Sequence, residues 1–344
     1  MTKSTLHFLF FILLFGGLFS CTDDDSKGKE DYSHGTLVLH EGLFQTGTGT
    51  VSFVGDTGAV SNRIFELENN GQILGNILQS ATVVGDLAYL VVNNANKIVI
   101  VNRYSFKYEG EITGLKQPQY AYAKGNKLYV SQWGIGGDGS GVAIVNLSTK
   151  LIEKTILIAG GPQHMIAFNN ELFIGLSGGF SKDNQVVELD LNADTILRSQ
   201  TVDDVPNQMQ IVDGKIWLLC SGYYDFVNPD QSSKGGIYVY QNGIWTKKLA
   251  LEQGGKSLEA DAINRELFTV GSLGLVKYSI DNNSITQLMP GYFYGVGFNV
   301  LTQQIWVADA KNFSSPGYVL VLNRQGDLLD THQVDIIPNG FIFN

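Results

Sequence analysis

The sequence predicts an all-β protein: a seven-bladed β-propeller of four-stranded blades, closed by the C-terminal strand joining the first blade. Three observations predict it. A short motif recurs at a near-constant period. Further strand-like runs surround each copy. The last segment repeats the start of a unit, an element that the first unit lacks.

The motif is a polar or turn pair followed by alternating apolar residues around an aromatic. It reads Gly85-Asp86-Leu87-Ala88-Tyr89-Leu90-Val91 and Gly125-Asn126-Lys127-Leu128-Tyr129-Val130, and it returns around Phe173, Trp217, Phe268 and Trp306. The steps between these aromatics are 40, 44, 44, 51 and 38 residues, and a weaker copy, Thr36-Leu37-Val38-Leu39, precedes them. A second apolar run follows each copy, as in Lys97-Ile98-Val99-Ile100-Val101 and Ile237-Tyr238-Val239-Tyr240. A third run follows that, as in Ile152-Glu153-Lys154-Thr155-Ile156, and a short run precedes several copies, as in Tyr120-Ala121-Tyr122-Ala123. Four short strands in about 43 residues match a propeller blade. Leucine-rich repeats are shorter, and helical repeats need a 3.6-residue apolar period that is absent here.

Seven units fit, the last running from Gly295 to Val334. The tail Ile336-Ile337-Pro338-Asn339-Gly340-Phe341-Ile342-Phe343 then supplies the innermost strand of the first blade, which removes the open edge of the ring.

Residues 1–20 read as a secretory signal, with Lys3 as the positive region and Leu6 to Phe19 as the apolar one. This run is too short to span a bilayer. It ends in Leu18-Phe19-Ser20-Cys21, the pattern of a bacterial lipoprotein cleavage site, with Cys21 as the lipidated residue; the alternative is an ordinary secreted chain with an incidental cysteine. Residues 21–33 are expected to form a flexible tether, and residues 34–344 a single domain. Thr22-Asp23-Asp24-Asp25 resembles an acidic export signal that places lipoproteins on the outer face of the outer membrane, or is a plain solvated linker. The expected location is the outer membrane, lipid-anchored and exposed at the cell surface. Only Cys220 remains once Cys21 is lipidated, so no intramolecular disulfide is expected, and its apolar surroundings predict a buried thiol.

The formal charge is -10. An acidic chain without basic patches argues against nucleic acid and against anionic membrane surfaces, so the membrane is reached through the lipid anchor alone.

In a propeller the turn leading into the innermost strand and the loop between the second and third strands share one face. The lead-in turns here carry Pro followed by polar side chains: Pro118-Gln119, Pro162-Gln163-His164, Pro206-Asn207-Gln208 and Pro338-Asn339. Gln119, His164 and Gln208 are therefore candidate ligand contacts at the channel mouth, or else satisfy strand ends and channel waters. Four long second-to-third-strand loops place aromatics among Gly, Ser, Asn and Asp. Trp133, Phe180, Tyr223, Tyr224, Phe226 and Phe313 are candidate ligand-binding anchors, since aromatics among adaptable polar groups have the composition of a recognition surface. The alternative is that Trp133, Phe180 and Phe313 fold inward and fill gaps between blades.

Catalysis has little support. The histidines after the signal, His34, His40, His164 and His332, have no metal-ligand spacing, with His34 in the tether region and His332 in an outer turn. No nucleophile elbow or phosphate loop is present. No catalytic residue, metal or cofactor is assigned. An enzyme reading, a metal-dependent lactonase-like hydrolase, would use Glu41, Asn207, Glu259 and Asp309 at the channel mouth.

The units resemble the YncE-like seven-bladed propellers, with a Pro turn followed by a Gly-x-Leu-Tyr-Val strand, as in Pro118 to Val130. The resemblance spans roughly residues 36–343 and implies the fold rather than one activity. With the lipoprotein signal and the closing Ile337-Pro338-Asn339-Gly340-Phe341, the chain looks like the surface propeller lipoproteins that capture cobalamin. That likeness implies a corrinoid or similar bulky nutrient held on one face without covalent chemistry, and a TonB-dependent outer-membrane transporter as partner. A cell-surface protein-interaction scaffold is the third reading.

Overall fold

The computed structural model describes residues 31–252 and 254–344. The signal, Cys21 and most of the expected tether lie outside the described residues. The described chain forms seven sheets of four antiparallel strands. Blade 2 shows the pattern: Leu78–Val84 innermost, then Leu87–Val92, Lys97–Asn102 and Tyr108–Ile112 outward. The recurring motif is the second strand of every blade. It is buried on both sides, which is why it reads as a nearly continuous apolar run.

Each motif aromatic fills the wedge between its own blade and the next. Phe173 packs edge-on to Tyr240, with ring centroids 4.8 Å apart. Phe268 stacks on Phe298 at 5.3 Å, and Trp306 meets Phe341 and Phe343 of blade 1 at 6.0 and 5.8 Å. Buried apolar residues fall into seven clusters among the described residues, one for each blade interface. No core runs through the middle of the molecule. The seven wedges hold the ring together, and polar side chains are left to line the axis.

The ring closes as the sequence predicts. Pro338–Phe343 pairs with Gly35–His40, with Leu37 opposite Ile342 and Val38 opposite Phe341. Asn344 then ties the closing strand to Tyr32 and to blade 2: its Nδ2 donates to Tyr32 O at 2.7 Å, and its Oδ1 accepts from Arg103 Nε at 2.8 Å.

Three details differ from the sequence reading. Residues 31–33 belong to the domain rather than to a tether, because Tyr32 is 1% exposed and packs edge-on to Phe53 and Phe106. His332 is not in a turn but inside the outermost strand Leu328–Ile336, stacked on Trp306. A five-residue helix, α1 (Ile64–Glu68), links blades 1 and 2 and buries Ile64 and Phe65; one turn is too short to show a helical period. Cys220 is buried as expected, and burial pushes its thiol pKa up.

Candidate functional site

The site begins with a repeated backbone device. Ile77, Gln117, Gly161, Val205 and Ile337 immediately precede five of the innermost strands, and all have left-handed φ values, between 53° and 64°. For a residue with a Cβ this conformation costs roughly 1–2 kcal/mol. It turns each carbonyl toward the end of the second strand. These five oxygens accept from the N–H groups of Asn93, Trp133, Ser177, Ser221 and Glu41 at 2.8, 3.2, 3.0, 2.9 and 3.0 Å. Each bond pins the first residue of a face loop beside the channel. In blades 2 to 5 the ladder then slips register within three residues, at Leu78/Ser80, Pro118/Ala121, Pro162/Met165 and Pro206/Gln208. Such bulges re-aim side chains, and here they bring Gln79, Gln119, Gln163 and Asn207 to the channel mouth.

Two adjoining cavities result. The mouth cavity, about 310 Å³, is lined by these four amides with Asn339, Gln208, Tyr120, Glu41, Lys256, Ser257 and Tyr294. The second cavity, about 480 Å³, lies over blades 4 to 6 and is walled by Trp133, Tyr223, Tyr224, Phe226 and Tyr292. Trp133, Gln163, Asn207 and Lys256 line both, so they form one groove.

The polar side of the groove is mostly braced. Trp133 Nε1 donates to Gln163 Oε1 at 3.1 Å. Asn207 Nδ2 donates to Ser221 Oγ and to Lys256 O, both at 3.0 Å. Two acceptors are not braced. Gln119 Oε1 and Asn339 Oδ1 are buried and have no hydrogen-bond partner among the described residues, which costs about 1–3 kcal/mol each if left unmet.

The candidate contacts divide. Trp133, Tyr223, Tyr224 and Phe226 line the groove, as do Gln119 and Gln208. Gln208 also accepts from Leu258 N–H. Phe180 lines neither cavity; it stands 86% exposed at the rim, edge-on to Trp133 at 5.3 Å. Phe313 lies behind the wall, against Tyr294 at 5.2 Å and Tyr292 at 6.3 Å. It supports the site rather than lining it, because its left-handed backbone, φ 60°, turns the ring back toward blade 7. His164 sits lower in the channel than the mouth cavity, under Tyr120 at 5.1 Å, and its Nδ1 accepts from Met209 N–H at 3.3 Å. Burial holds its pKa down at about 4, so it is neutral at pH 7. Burial likewise pushes the Tyr120 hydroxyl up to about 12.

The sequence reading did not single out Lys256, Tyr292 or Tyr294. The innermost strands of blades 6 and 7 start at Ser257 and Gly295 without the Pro signal.

The four residues considered for a lactonase centre are spread out. Glu41 and Asn207 are at the mouth, with Glu41 accepting from Tyr294 Oη at 3.0 Å. Glu259 is deeper, held by Gln210 Nε2 at 3.3 Å, and Asp309 lines a separate outer cavity beside Lys311. No cluster of three His, Cys, Asp or Glu with metal-site geometry occurs among the described residues.

Glu259 provides a pH test. Burial pushes its pKa from 4.5 up to about 8. Between these values the folded chain keeps a proton that the unfolded chain has released. The group's contribution to stability is therefore complete below pH 4.5 and is lost as pH rises toward about 8. Glu259→Gln is expected to melt with wild type near pH 4.5 and above it near pH 8, read by thermal denaturation. Equal melting temperatures at both pH values would contradict a protonated Glu259.

Residues 34–338 match the family described as a domain of unknown function, DUF5074. The chain belongs to that family. No curated protein matches the DUF5074 chain in sequence. Among solved structures, it is similar to a quinoprotein alcohol dehydrogenase-like protein from Bacteroides thetaiotaomicron, with TM-score 0.70 and 15% identity over 91% of this chain and 79% of that one. It is also similar to a putative 6-phosphogluconolactonase from Bacteroides uniformis, with TM-score 0.66 and 12% identity over 92% and 100%. A third is BamB from Moraxella catarrhalis, with TM-score 0.52 and 13% identity over 87% and 82%. At such identities the likeness shows the propeller fold alone. The names of these neighbours cover both enzymes and other kinds of protein, so they leave the activity of the DUF5074 chain open.

Proposed function

We propose that this DUF5074 propeller is a surface lipoprotein, anchored through Cys21, that captures a corrinoid reversibly in the face groove and passes it to a TonB-dependent outer-membrane transporter. One observation carries the reading: a ring of carboxamides and an aromatic wall meet in one groove, with Trp133 at the junction. A corrinoid is bulky, has wide apolar faces and carries carboxamides around its rim. Amides pair with amides through one donor and one acceptor each, and the buried oxygens of Gln119 and Asn339 need donors. Aromatic anchors supply contact area at little conformational cost.

Calorimetric titration of the chain without its first 21 residues with cyanocobalamin tests this. Tight 1:1 binding that survives a chelator is the expected result. Trp133→Ala should weaken it by about 30-fold, since a central aromatic anchor is worth roughly 2 kcal/mol or more. Its melting temperature should change little, because Trp133 is half-buried in a loop. Absence of heat at high protein concentration would end the corrinoid assignment.

A further inference from the structure

The groove carries one positive charge, Lys256, which acts on Glu41 across the mouth without forming an ion pair with it. The other basic residues in the loops of this face are paired among the described residues. Arg63 pairs with Glu66 at 3.0 Å and Lys97 with Glu111 at 3.1 Å. Lys116, Lys182, Lys234 and Lys311 pair with Asp138, Asp204, Glu252 and Asp309 at 2.5, 3.0, 2.6 and 3.3 Å. Lys256 makes no ion pair within 4.0 Å among the described residues. Arg103, Lys124, Lys150, Lys154, Lys215 and Lys248 also make no ion pair among the described residues, but none of them lines the groove.

Lys256 is also held in position. Its N–H donates to Val270 O at 2.7 Å, and its own carbonyl accepts from Asn207 Nδ2. Its ammonium lies over the Tyr294 ring, 4.9 Å from the centroid. The Tyr294 hydroxyl is fixed in turn by Glu41 at 3.0 Å. Lys256 lines both cavities and, among the described residues, is the only charged side chain on the wall of the larger one. Gln119 and Asn339 line the same mouth, and each has a buried side-chain oxygen with no hydrogen-bond partner among the described residues. An ammonium supported by an aromatic face keeps its donors for a guest.

We infer that Lys256 is the specificity-determining residue of the groove and binds an anionic group on the ligand, a phosphate or a carboxylate, while the amides at the mouth receive the ligand's hydrogen-bond donors. This inference deepens the proposed capture function and rests on it for the corrinoid. A cobalamin has a phosphodiester in its nucleotide loop, and a cobinamide lacks it, so the pair separates the two ideas.

Wild type and Lys256→Gln are titrated with cyanocobalamin and with dicyanocobinamide, using the chain without its first 21 residues. Wild type should favour the phosphodiester-bearing corrinoid by about tenfold or more, the size expected of one charge-assisted hydrogen bond. The preference should shrink at high salt. Lys256→Gln should lose that preference and keep its affinity for cobinamide, and Lys256→Arg should restore it. If both corrinoids bind wild type and the variant alike, the anion assignment is overturned and capture stands. If neither corrinoid binds wild type, the corrinoid reading fails alone. The anion assignment is then decided by phenyl phosphate against phenol, followed through the Trp133 indole N–H resonance. Phenyl phosphate should shift that resonance in wild type and not in Lys256→Gln, with phenol acting alike on both. No shift in wild type, or an equal shift in the variant, overturns the assignment.

Discussion

Deleting Pro338–Asn344 is expected to abolish cooperative folding of the whole domain, although it removes one six-residue strand and a single terminal residue. That strand is the innermost of blade 1, and it enters the chain last. Without it the ring has an open edge at Gly35–His40 and two unfilled interfaces. Phe341 and Phe343 leave the blade 7 interface, where they contact Trp306, and Ile342 leaves the interface with blade 2. Three large apolar side chains at about 1.5–3 kcal/mol each represent roughly 5–9 kcal/mol, as large as the net stability of an ordinary domain. The Asn344 bonds to Tyr32 and Arg103 go with them. Urea unfolding followed by circular dichroism should show loss of the sigmoidal transition. A truncated chain with an unchanged midpoint would show that the other six interfaces hold the ring by themselves.

Gly161→Val is expected to be the most damaging single substitution on the ligand face, at about 3 kcal/mol or more. Val205 and Ile337 occupy the equivalent left-handed position in blades 5 and 1, so the backbone conformation alone does not forbid a branched side chain. The obstacle is space. A Cβ on Gly161 would lie within 2.2 Å of Gly179 N and 2.8 Å of Gly178 C. The Gly178–Phe180 segment packs down onto this turn, with Ser177 N–H and Gly178 N–H bound to Gly161 O and Gly160 O at 3.0 and 2.8 Å. Pushing that segment away also removes Phe180 from Trp133, so ligand affinity should fall together with stability. The contrasting variant Val205→Gly should change stability by less than about 1 kcal/mol. Relief of its left-handed strain offsets the greater freedom of glycine in the unfolded chain. Thermal melts of the pair separate the two causes: a gain at Val205→Gly that mirrors the loss at Gly161→Val would point to the turn conformation, and a loss confined to Gly161→Val to the packed loop.

The pH response of Glu259 and the loss of affinity at Trp133 are smaller effects, but they probe the channel and the groove independently of the fold.

The blade pattern was legible because of one packing demand. Tyr89, Tyr129, Phe173, Trp217, Phe268 and Trp306 each occupy a wedge between blades, and a wedge recurs once per blade, so the aromatic recurs at the blade's period. The strand closing the ring was legible for the same reason, since a surplus innermost strand at one terminus matches a missing one at the other. Half of the site was legible too. Pro118, Pro162 and Pro206 mark the turns that deliver Gln119, Gln163 and Asn207, and the long loops announce Trp133, Tyr223, Tyr224 and Phe226.

The other half was not legible, and Phe313 and Phe180 show why. Their loops have the same composition as that of Trp133, yet one ring turns inward onto Tyr294 and the other stays at the rim. Composition marks a recognition loop; the loop's own dihedrals and its neighbours' packing aim the side chain. Lys256, Tyr292 and Tyr294 stand in short turns with no motif. Their importance comes from position around the axis: Glu41, Trp133, Asn207, Lys256 and Tyr294 come from five blades and meet only when the ring shuts. The sequence alone determined the repeat, the blade count and the closing strand, because these follow from local periodicity and one repeated contact. Which side chains share a groove, and that its lysine stands clear of ion-pair contact, only the tertiary structure decided, because ring closure brings together residues up to about 300 positions apart whose local sequences have nothing in common.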